Sequence, residues 1–141
     1  MKRFLFLCAV GAVLCAIAVS ASAEIKYTKV ASFKDIGQSR VFFIALRESV
    51  PKDSLEAGLW EIVNSHMDQY GQAPQMWIFF FDDKKYTPKD FPIEGEALDH
   101  LVAKYFYATD TRIKDLKILS DADLAEIKSS GKIASPLWEG Q

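Results

Sequence analysis

The first residues to consider for chemistry are the two histidines, His66 and His100. His66 falls among apolar residues that recur every three or four positions, which places it on the apolar face of a predicted helix. A semi-buried imidazole there would serve as a general base or a ligand with a shifted pKa. The simpler interpretation is a core histidine with one hydrogen bond, near a helix C-terminus that favours its charged form. We favour the core interpretation because the sequence predicts no second ligand near His66.

His100 stands in a different setting, a segment rich in carboxylates. Glu94, Glu96 and Asp99 are its acidic neighbours, and a carboxylate can orient an imidazole for catalysis or metal binding. This set, with or without His66, would suit a hydrolase or a metal-dependent enzyme. The alternative, which a charged segment favours, is a plain surface histidine. The acidic residues lack the alternating spacing of an EF-hand loop, so the sequence predicts no metal site.

No other motif points to catalysis. None of the serines lies in Gly-x-Ser-x-Gly, and the chain has no glycine-rich phosphate loop. The sequence therefore predicts no cofactor and favours a protein that is not an enzyme. The charge balance argues against nucleic acid as a partner, because 17 Lys and Arg stand against 19 Asp and Glu with no basic cluster.

The remaining chemical signal comes from aromatic and acidic residues that would form a binding surface. Residues 82–95 are predicted to form a long loop, and long loops in compact domains often carry function. Aromatic side chains give a large contact area at a small cost in side-chain entropy. The predicted binding residues are Trp60, Asp82, Asp83, Tyr86, Phe91, Tyr105 and Tyr107. Alternatively, a pocket between helix and sheet, lined by Trp60, Tyr70 and Trp77, would make the protein a small-ligand carrier.

The first 23 residues have the pattern of a secretory signal peptide. Lys2 and Arg3 precede an unbroken apolar run over residues 4–19, and Ala21-Ser22-Ala23 supplies the small residues that a signal peptidase recognises. A retained membrane anchor is the alternative, which the compact charged start and the small-residue motif disfavour. Cleavage would remove both cysteines, at positions 8 and 15, so the mature chain would have no disulfide and no thiolate metal site.

Two strands, a helix and a third strand are predicted before residue 82. Residues 25–34 and 40–47 are predicted to form a β-hairpin. Asp53 and Glu56 resemble a capping box at the start of a helix over residues 54–70, and Gly71 is expected to end this helix in the left-handed conformation. Residues 76–81 are apolar at every position, which predicts a buried central strand. This strand, helix and strand order favours a right-handed crossover that lays the helix over the sheet.

The second half of the chain predicts shorter elements. Residues 96–101 predict one or two helical turns, and residues 102–108 and 113–119 predict strands. Ser120 with Asp123 predicts a capped helix over residues 121–129 that Gly131 ends. The predicted fold class is therefore α+β, with a mostly antiparallel sheet of about five strands, one long amphipathic helix packed on it and a short C-terminal helix. A single domain would span residues 24–131, followed by a tail over residues 132–141.

Together these features predict a small, exported, non-enzymatic binding protein of the bacterial cell envelope. Its length of 141 residues, with half of them hydrophobic, suits about one globular domain. The protein would be periplasmic or secreted, without stable membrane insertion after cleavage. Its partner would be another envelope or extracellular macromolecule, contacted through residues 82–99.

Overall fold

The computed structural model describes residues 24–138. The predicted signal peptide, residues 1–23, lies outside the described residues. Within residues 24–138, no helix combines the length and the hydrophobicity that crossing a membrane requires.

The described chain folds as an α+β structure, with a mostly antiparallel five-stranded sheet and three helices. The predicted fold class is confirmed at this level. In chain order the elements are β1 (Tyr27–Lys34), β2 (Arg40–Leu46), α1 (Lys52–Tyr70), β3 (Gln75–Phe81), a 3₁₀ helix (Lys84–Tyr86), β4 (Ile93–Glu94), α2 (Glu96–Asp99), β5 (Leu101–Ala108), β6 (Ile113–Ile118), α3 (Asp121–Ser129) and β7 (Lys132–Ile133).

The main sheet has the strand order β1-β2-β3-β5-β6, so β3 is its central strand, as the sequence predicts. Strands β2 and β3 are parallel, with Phe42 opposite Ile78 and Phe43 opposite Phe79. A parallel pair cannot be joined by a tight turn, and α1 supplies the long connection that it requires. The other neighbouring strands are antiparallel.

Both faces of the main sheet are buried at its centre. On the face that we call the α1 face, Phe42, Ile78 and Phe80 pack with Leu59 and Val63 of α1. The face on the other side of the sheet, called here the opposite face, has a second buried cluster whose members are Val41, Phe43, Phe79, Phe81, Ile93, Leu98 and Leu101. Burial on both faces explains why β2 and β3 are apolar at nearly every position instead of alternating.

The two ends of α1 differ from the sequence prediction. The helix begins at Lys52, after Pro51, and has no side-chain capping hydrogen bond. Asp53 therefore lies in the first turn, where its charge still favours the positive end of the helix, and the predicted capping box with Glu56 is wrong. Gly71 ends the helix at φ −63°, in the right-handed region. Its glycine is needed for space, because a Cβ there would lie 2.4 Å from the Met67 carbonyl oxygen.

The C-terminal elements follow the sequence prediction more closely. Helix α3 spans Asp121–Ser129, and Ser120 and Asp123 form the predicted reciprocal capping box. Gly131 has φ +83°, a conformation that glycine adopts at little cost. Beyond it, Ile133 pairs with Ile93 in a small antiparallel sheet of β4 and β7. The segment predicted as a tail therefore contributes a strand to the fold.

Candidate functional site

The end of β3 and the start of β5 bring together an aspartate and a histidine that are 18 residues apart in sequence. Asp82 Oδ1 lies 2.7 Å from His100 Nδ1. The Asp82 backbone N–H also donates to the His100 carbonyl oxygen over 2.9 Å. The backbone bond fixes the two residues beside each other, so the carboxylate can hold the imidazole in one orientation.

Tyr86 completes this group by stacking on the imidazole. The Tyr86 and His100 ring centroids are 4.1 Å apart and the ring planes differ by 3°. The 3₁₀ helix positions Tyr86, and Asp83 stabilises the start of that helix by accepting a 2.8 Å hydrogen bond from the Lys85 N–H. We call Asp82, Tyr86 and His100 the stacked triad. The His100 side chain is 28% exposed, so the triad is open to solvent while its geometry is fixed.

The carboxylates that the sequence places near His100 are not its hydrogen-bond partners. Asp99 pairs instead with Lys128 of α3, and this hydrogen bond to the Lys128 ammonium lowers the pKa of Asp99. Glu94 and Glu96 are exposed and form no ion pair within residues 24–138. Sequence reasoning named Asp82 as a binding residue but missed it as the partner of His100, since only the sheet register brings them together.

Buried and partly buried side chains hold the segment that carries the triad against the opposite face. Phe91 packs on the rings of Phe33, Phe43 and Phe79, and Ile93 is fully buried. Thr87 is also buried, and its hydroxyl donates to the Asp83 carbonyl oxygen over 2.8 Å. Residues 82–100, called here the 82–100 segment, are therefore anchored along their length.

His66 lies in a different place, under α1, and does not converge with His100. It is 3% exposed, and its Nδ1 is 2.8 Å from the Ile62 carbonyl oxygen. A carbonyl can only accept, so Nδ1 carries the proton and donates, and Nε2 has no hydrogen-bond partner among the described residues. Burial lowers the pKa of His66; the bond to Ile62 opposes this effect and the charge of Lys29 adds to it. This geometry supports the core interpretation of His66 from the sequence.

The predicted aromatic residues divide between the two faces of the sheet. Trp60, Tyr70, Tyr105 and Tyr107 pack in the cluster on the α1 face, whereas Trp77 packs on the opposite face. Trp60, Tyr70 and Trp77 therefore do not line one pocket between helix and sheet. Trp60 and Tyr70 belong to α1, whereas Trp77 belongs to β3 and points away from α1, because successive side chains of a strand point to opposite faces.

Tyr105 is 1% exposed, which places it in the core and not on a binding surface. Its ring meets Trp60 edge-on at 6.0 Å. Its hydroxyl has no hydrogen-bond partner among the described residues. Burial, with a smaller contribution from Tyr107, raises the pKa of Tyr105 to about 12.

The opposite face also has a groove of about 420 Å³ between the sheet and the C-terminal elements. Trp77 and Phe106 form its sheet side, with ring centroids 5.3 Å apart. Ile127 of α3 and Pro136 lie across from them, and Lys104 and Asp115 are its charged lining residues. Sequence reasoning missed this groove, because its lining residues come from five separate parts of the chain.

Within residues 24–138, no group of three or more His, Cys, Asp or Glu side chains is arranged to hold a metal ion. No hydroxyl in that range is hydrogen-bonded to His100, whose side chain bonds to Asp82. No protein-family model matches the chain, and neither curated proteins nor solved structures gave a match.

Proposed function

We propose that this chain is an exported, non-enzymatic binding protein of the bacterial cell envelope that recognises another macromolecule through the outer surface of the 82–100 segment. The observation that carries this proposal is that a long, charged segment is held in one conformation by buried anchors. Phe91, Ile93 and Leu98 pack against the opposite face, while the stacked triad remains open to solvent.

Fixed geometry matters for binding because ordering a flexible loop reduces affinity. Immobilising a rotamer-rich side chain costs about 0.5–1.5 kcal/mol. A segment whose backbone is already held by Thr87 and Phe91 avoids the further cost of ordering the loop itself. The triad adds a flat pair of rings, a surface that gives large contact area with little loss of entropy.

The charges on the segment indicate the kind of partner. Both signs are interspersed on its exposed side, and these residues are Asp82, Lys84, Lys85, Lys89, Asp90, Glu94, Glu96 and Asp99. Three lysines among five carboxylates do not neutralise a row of phosphates, so nucleic acid is disfavoured. The surface suits a partner whose own polar surface carries both charges, such as a protein.

The export part of the proposal rests on the N-terminal sequence. Residues 1–23 have the charged start, apolar run and small-residue motif of a signal peptide, and residues 24–141 contain no cysteine. Mass spectrometry of the native product tests this part. We expect a chain that begins at Glu24 in the envelope fraction, and an intact Met1 terminus in the cytosol would contradict export.

The binding part is tested by changing the outer surface while keeping the anchors. A Lys84→Glu, Lys85→Glu, Tyr86→Ser triple variant changes only residues at least partly open to solvent. Lys114→Glu is the control, because Lys114 is an exposed lysine on β6, away from the segment. Cross-linking in envelope extract should give a product with the wild type and with the control, and the triple variant should lose it.

Two results would contradict this proposal. One is an unchanged cross-linked product in the triple variant, since the segment would then not be the contact. The other is equal loss in the control variant, which would indicate a non-specific charge effect. Thermal unfolding of each variant shows whether the fold is retained.

A second candidate function is hydrolysis with His100 as general base, and the 2.7 Å contact with Asp82 favours it. A partly exposed imidazole oriented by a carboxylate can activate water. Assays of the purified protein with a panel of esters, amides and glycosides would test this function. Turnover that falls at least about 100-fold in His100→Gln would support it, and turnover equal to that of the variant would exclude His100 as the base.

A further inference from the structure

The groove on the opposite face combines an apolar interior with two charged side chains. Trp77 and Phe106 supply aromatic walls, and Ile127 and Pro136 close the other side. Trp77 and Phe106 are adjacent across β3 and β5 in the register of the sheet. A concave site of about 420 Å³ is in the range that takes one small molecule.

The two charges of the groove are distinguished by having no ion-pair partner. Lys104 lies opposite Lys117 across β5 and β6, and Asp115 lies opposite Phe106. Lys117 is engaged by Asp123, with Nζ 2.9 Å from the carboxylate. Within residues 24–138, neither Lys104 nor Asp115 forms an ion pair or a side-chain hydrogen bond.

The positions of these charges indicate a ligand that carries both signs. Lys104 and Asp115 are diagonal neighbours on the same face of the β5–β6 pair, a spacing of roughly 7–8 Å between backbone positions. A purely anionic ligand would be attracted by Lys104 and repelled by Asp115, and a purely cationic one the reverse. A zwitterion meets both charges favourably.

We propose that the groove is a binding site for a small zwitterion with a planar aromatic ring, of the class of the free aromatic amino acids. The ring lies against Trp77 and Phe106, the carboxylate faces Lys104 and the ammonium faces Asp115. This site is separate from the outer surface of the 82–100 segment, so it does not depend on the function proposed above.

Nuclear magnetic resonance of ¹⁵N-labelled protein tests the site with L-phenylalanine as the probe. The indole N–H signal of Trp77 reports on the groove, and that of Trp60 is an internal control because Trp60 packs on the other face of the sheet. We expect L-phenylalanine to shift the Trp77 signal in a saturable way at concentrations up to about 10 mM. The Trp60 signal should stay in place.

Ligand analogues and protein variants then test which charge of the groove contacts which charge of the ligand. Phenethylamine lacks the carboxylate and 3-phenylpropionate lacks the ammonium, and we expect each to bind about tenfold more weakly than L-phenylalanine. Lys104→Gln should remove the advantage of L-phenylalanine over phenethylamine, and Asp115→Asn its advantage over 3-phenylpropionate. The control is Lys114→Gln. Lys114 is next to Asp115 on β6 but its side chain points to the other face of the sheet, so this variant should leave all three affinities unchanged.

Three results would overturn the proposal. The first is no shift of the Trp77 signal over that concentration range. The second is equal affinity for L-phenylalanine and its two analogues, because the carboxylate and the ammonium of the ligand would then not contribute to binding. The third is an equal loss of affinity in Lys104→Gln and Lys114→Gln, which would indicate only a change in net charge.

Discussion

One long helix covers the α1 face of the sheet, whereas the opposite face is covered by several short segments that are distant in sequence. On the α1 face, Leu59, Ile62 and Val63 all come from α1. On the opposite face, Ile93, Leu98 and Leu137 come from the 82–100 segment and from the C-terminal part of the chain. Both candidate binding sites, the stacked triad and the groove, involve these short segments. A cover made of several pieces leaves edges and gaps where a partner or ligand can bind, which one continuous helix does not.

The two faces also differ in whether their polar side chains have hydrogen-bond or ion-pair partners. The α1 face contains the two buried side-chain atoms without a partner in the described range, His66 Nε2 and the Tyr105 hydroxyl. The short segments over the opposite face carry paired polar groups, among them Asp82 with His100 and Asp99 with Lys128. The α1 face therefore depends on apolar burial and tolerates two unpaired groups, whereas polar pairs link the segments over the other face.

Two adjacent phenylalanines of β2 allow a direct comparison of the two faces. Their substitution should give the largest effects on the free energy of unfolding. Phe42 points to the α1 face and Phe43 to the opposite face, and both are fully buried. We expect Phe42→Ala and Phe43→Ala each to lower the free energy of unfolding by about 3–5 kcal/mol, through lost apolar contact and the cavity left behind. Urea unfolding measures both, and Ile36→Ala, at a residue 75% exposed, should change it by less than about 0.5 kcal/mol.

Hydrogen exchange in the same two variants sharpens the comparison. Phe43→Ala should speed exchange first in the 82–100 segment, and Phe42→Ala first in α1. A loss of less than about 1 kcal/mol in either variant would show that the corresponding face is loosely packed.

The next largest effect on the free energy of unfolding is expected at high pH, from the Tyr105 hydroxyl on the α1 face. Its pKa is raised to about 12 in the folded chain from an ordinary value of 10.0. Between these values the unfolded chain loses the proton and the folded chain keeps it, so the free energy of unfolding falls as pH rises, by roughly 2–3 kcal/mol. Urea unfolding on either side of this window measures the loss.

Tyr105→Phe should abolish this contribution and, at neutral pH, leave stability equal or higher, because the hydroxyl that it removes has no partner. Tyr107→Phe is the matched control and should keep the alkaline loss. If Tyr105→Phe is strongly destabilising at neutral pH, the hydroxyl has a stabilising partner and this account of the α1 face is wrong.

A smaller effect on the free energy of unfolding is expected at mildly acidic pH. Variants of His66, which lies under α1, and of His100, which lies in the 82–100 segment, test it. Burial lowers the pKa of His66 below 6.5, although its bond to Ile62 opposes the shift. As pH falls below 6.5, the unfolded chain therefore gains this proton before the folded chain does, and the free energy of unfolding decreases. We expect His66→Leu to remove that decrease and His100→Gln, on the other side of the molecule, to retain it. Urea unfolding near pH 7.5 and pH 5.5 measures the difference, and a wild-type chain equally stable at both would contradict it.

Much of the fold follows from local patterns in the sequence. The apolar run of β3, the hairpin of β1 and β2 and the cap of α3 at Ser120 were all predicted, because each depends on residues close together in the chain. The errors at α1 also have local reasons. The N-cap is Pro51, two residues before the predicted cap Asp53, and Gly71 is selected by the nearby Met67 carbonyl and not by its φ angle.

The sites were less predictable, because their residues meet through the register of the sheet. The sequence pointed to His100 and its acidic neighbours, yet the partner is Asp82. The pocket predicted between Trp60, Tyr70 and Trp77 does not form, because the sheet lies between Trp77 and the other two residues. The signal that could have found the pair is that Asp82 directly follows the strand predicted over residues 76–81 and that His100 lies two residues before the strand predicted over residues 102–108.

By itself, the sequence determined which segments become strands and helices and which side chains have to be buried, because periodicity, capping and turn chemistry act over a few residues. The tertiary structure alone decided which segments cover the opposite face, that Asp82 meets His100 and that Lys104 and Asp115 share a groove. These contacts join residues far apart in the chain, and closing such long loops is worthwhile only after the sheet has formed and offers apolar surface to bury.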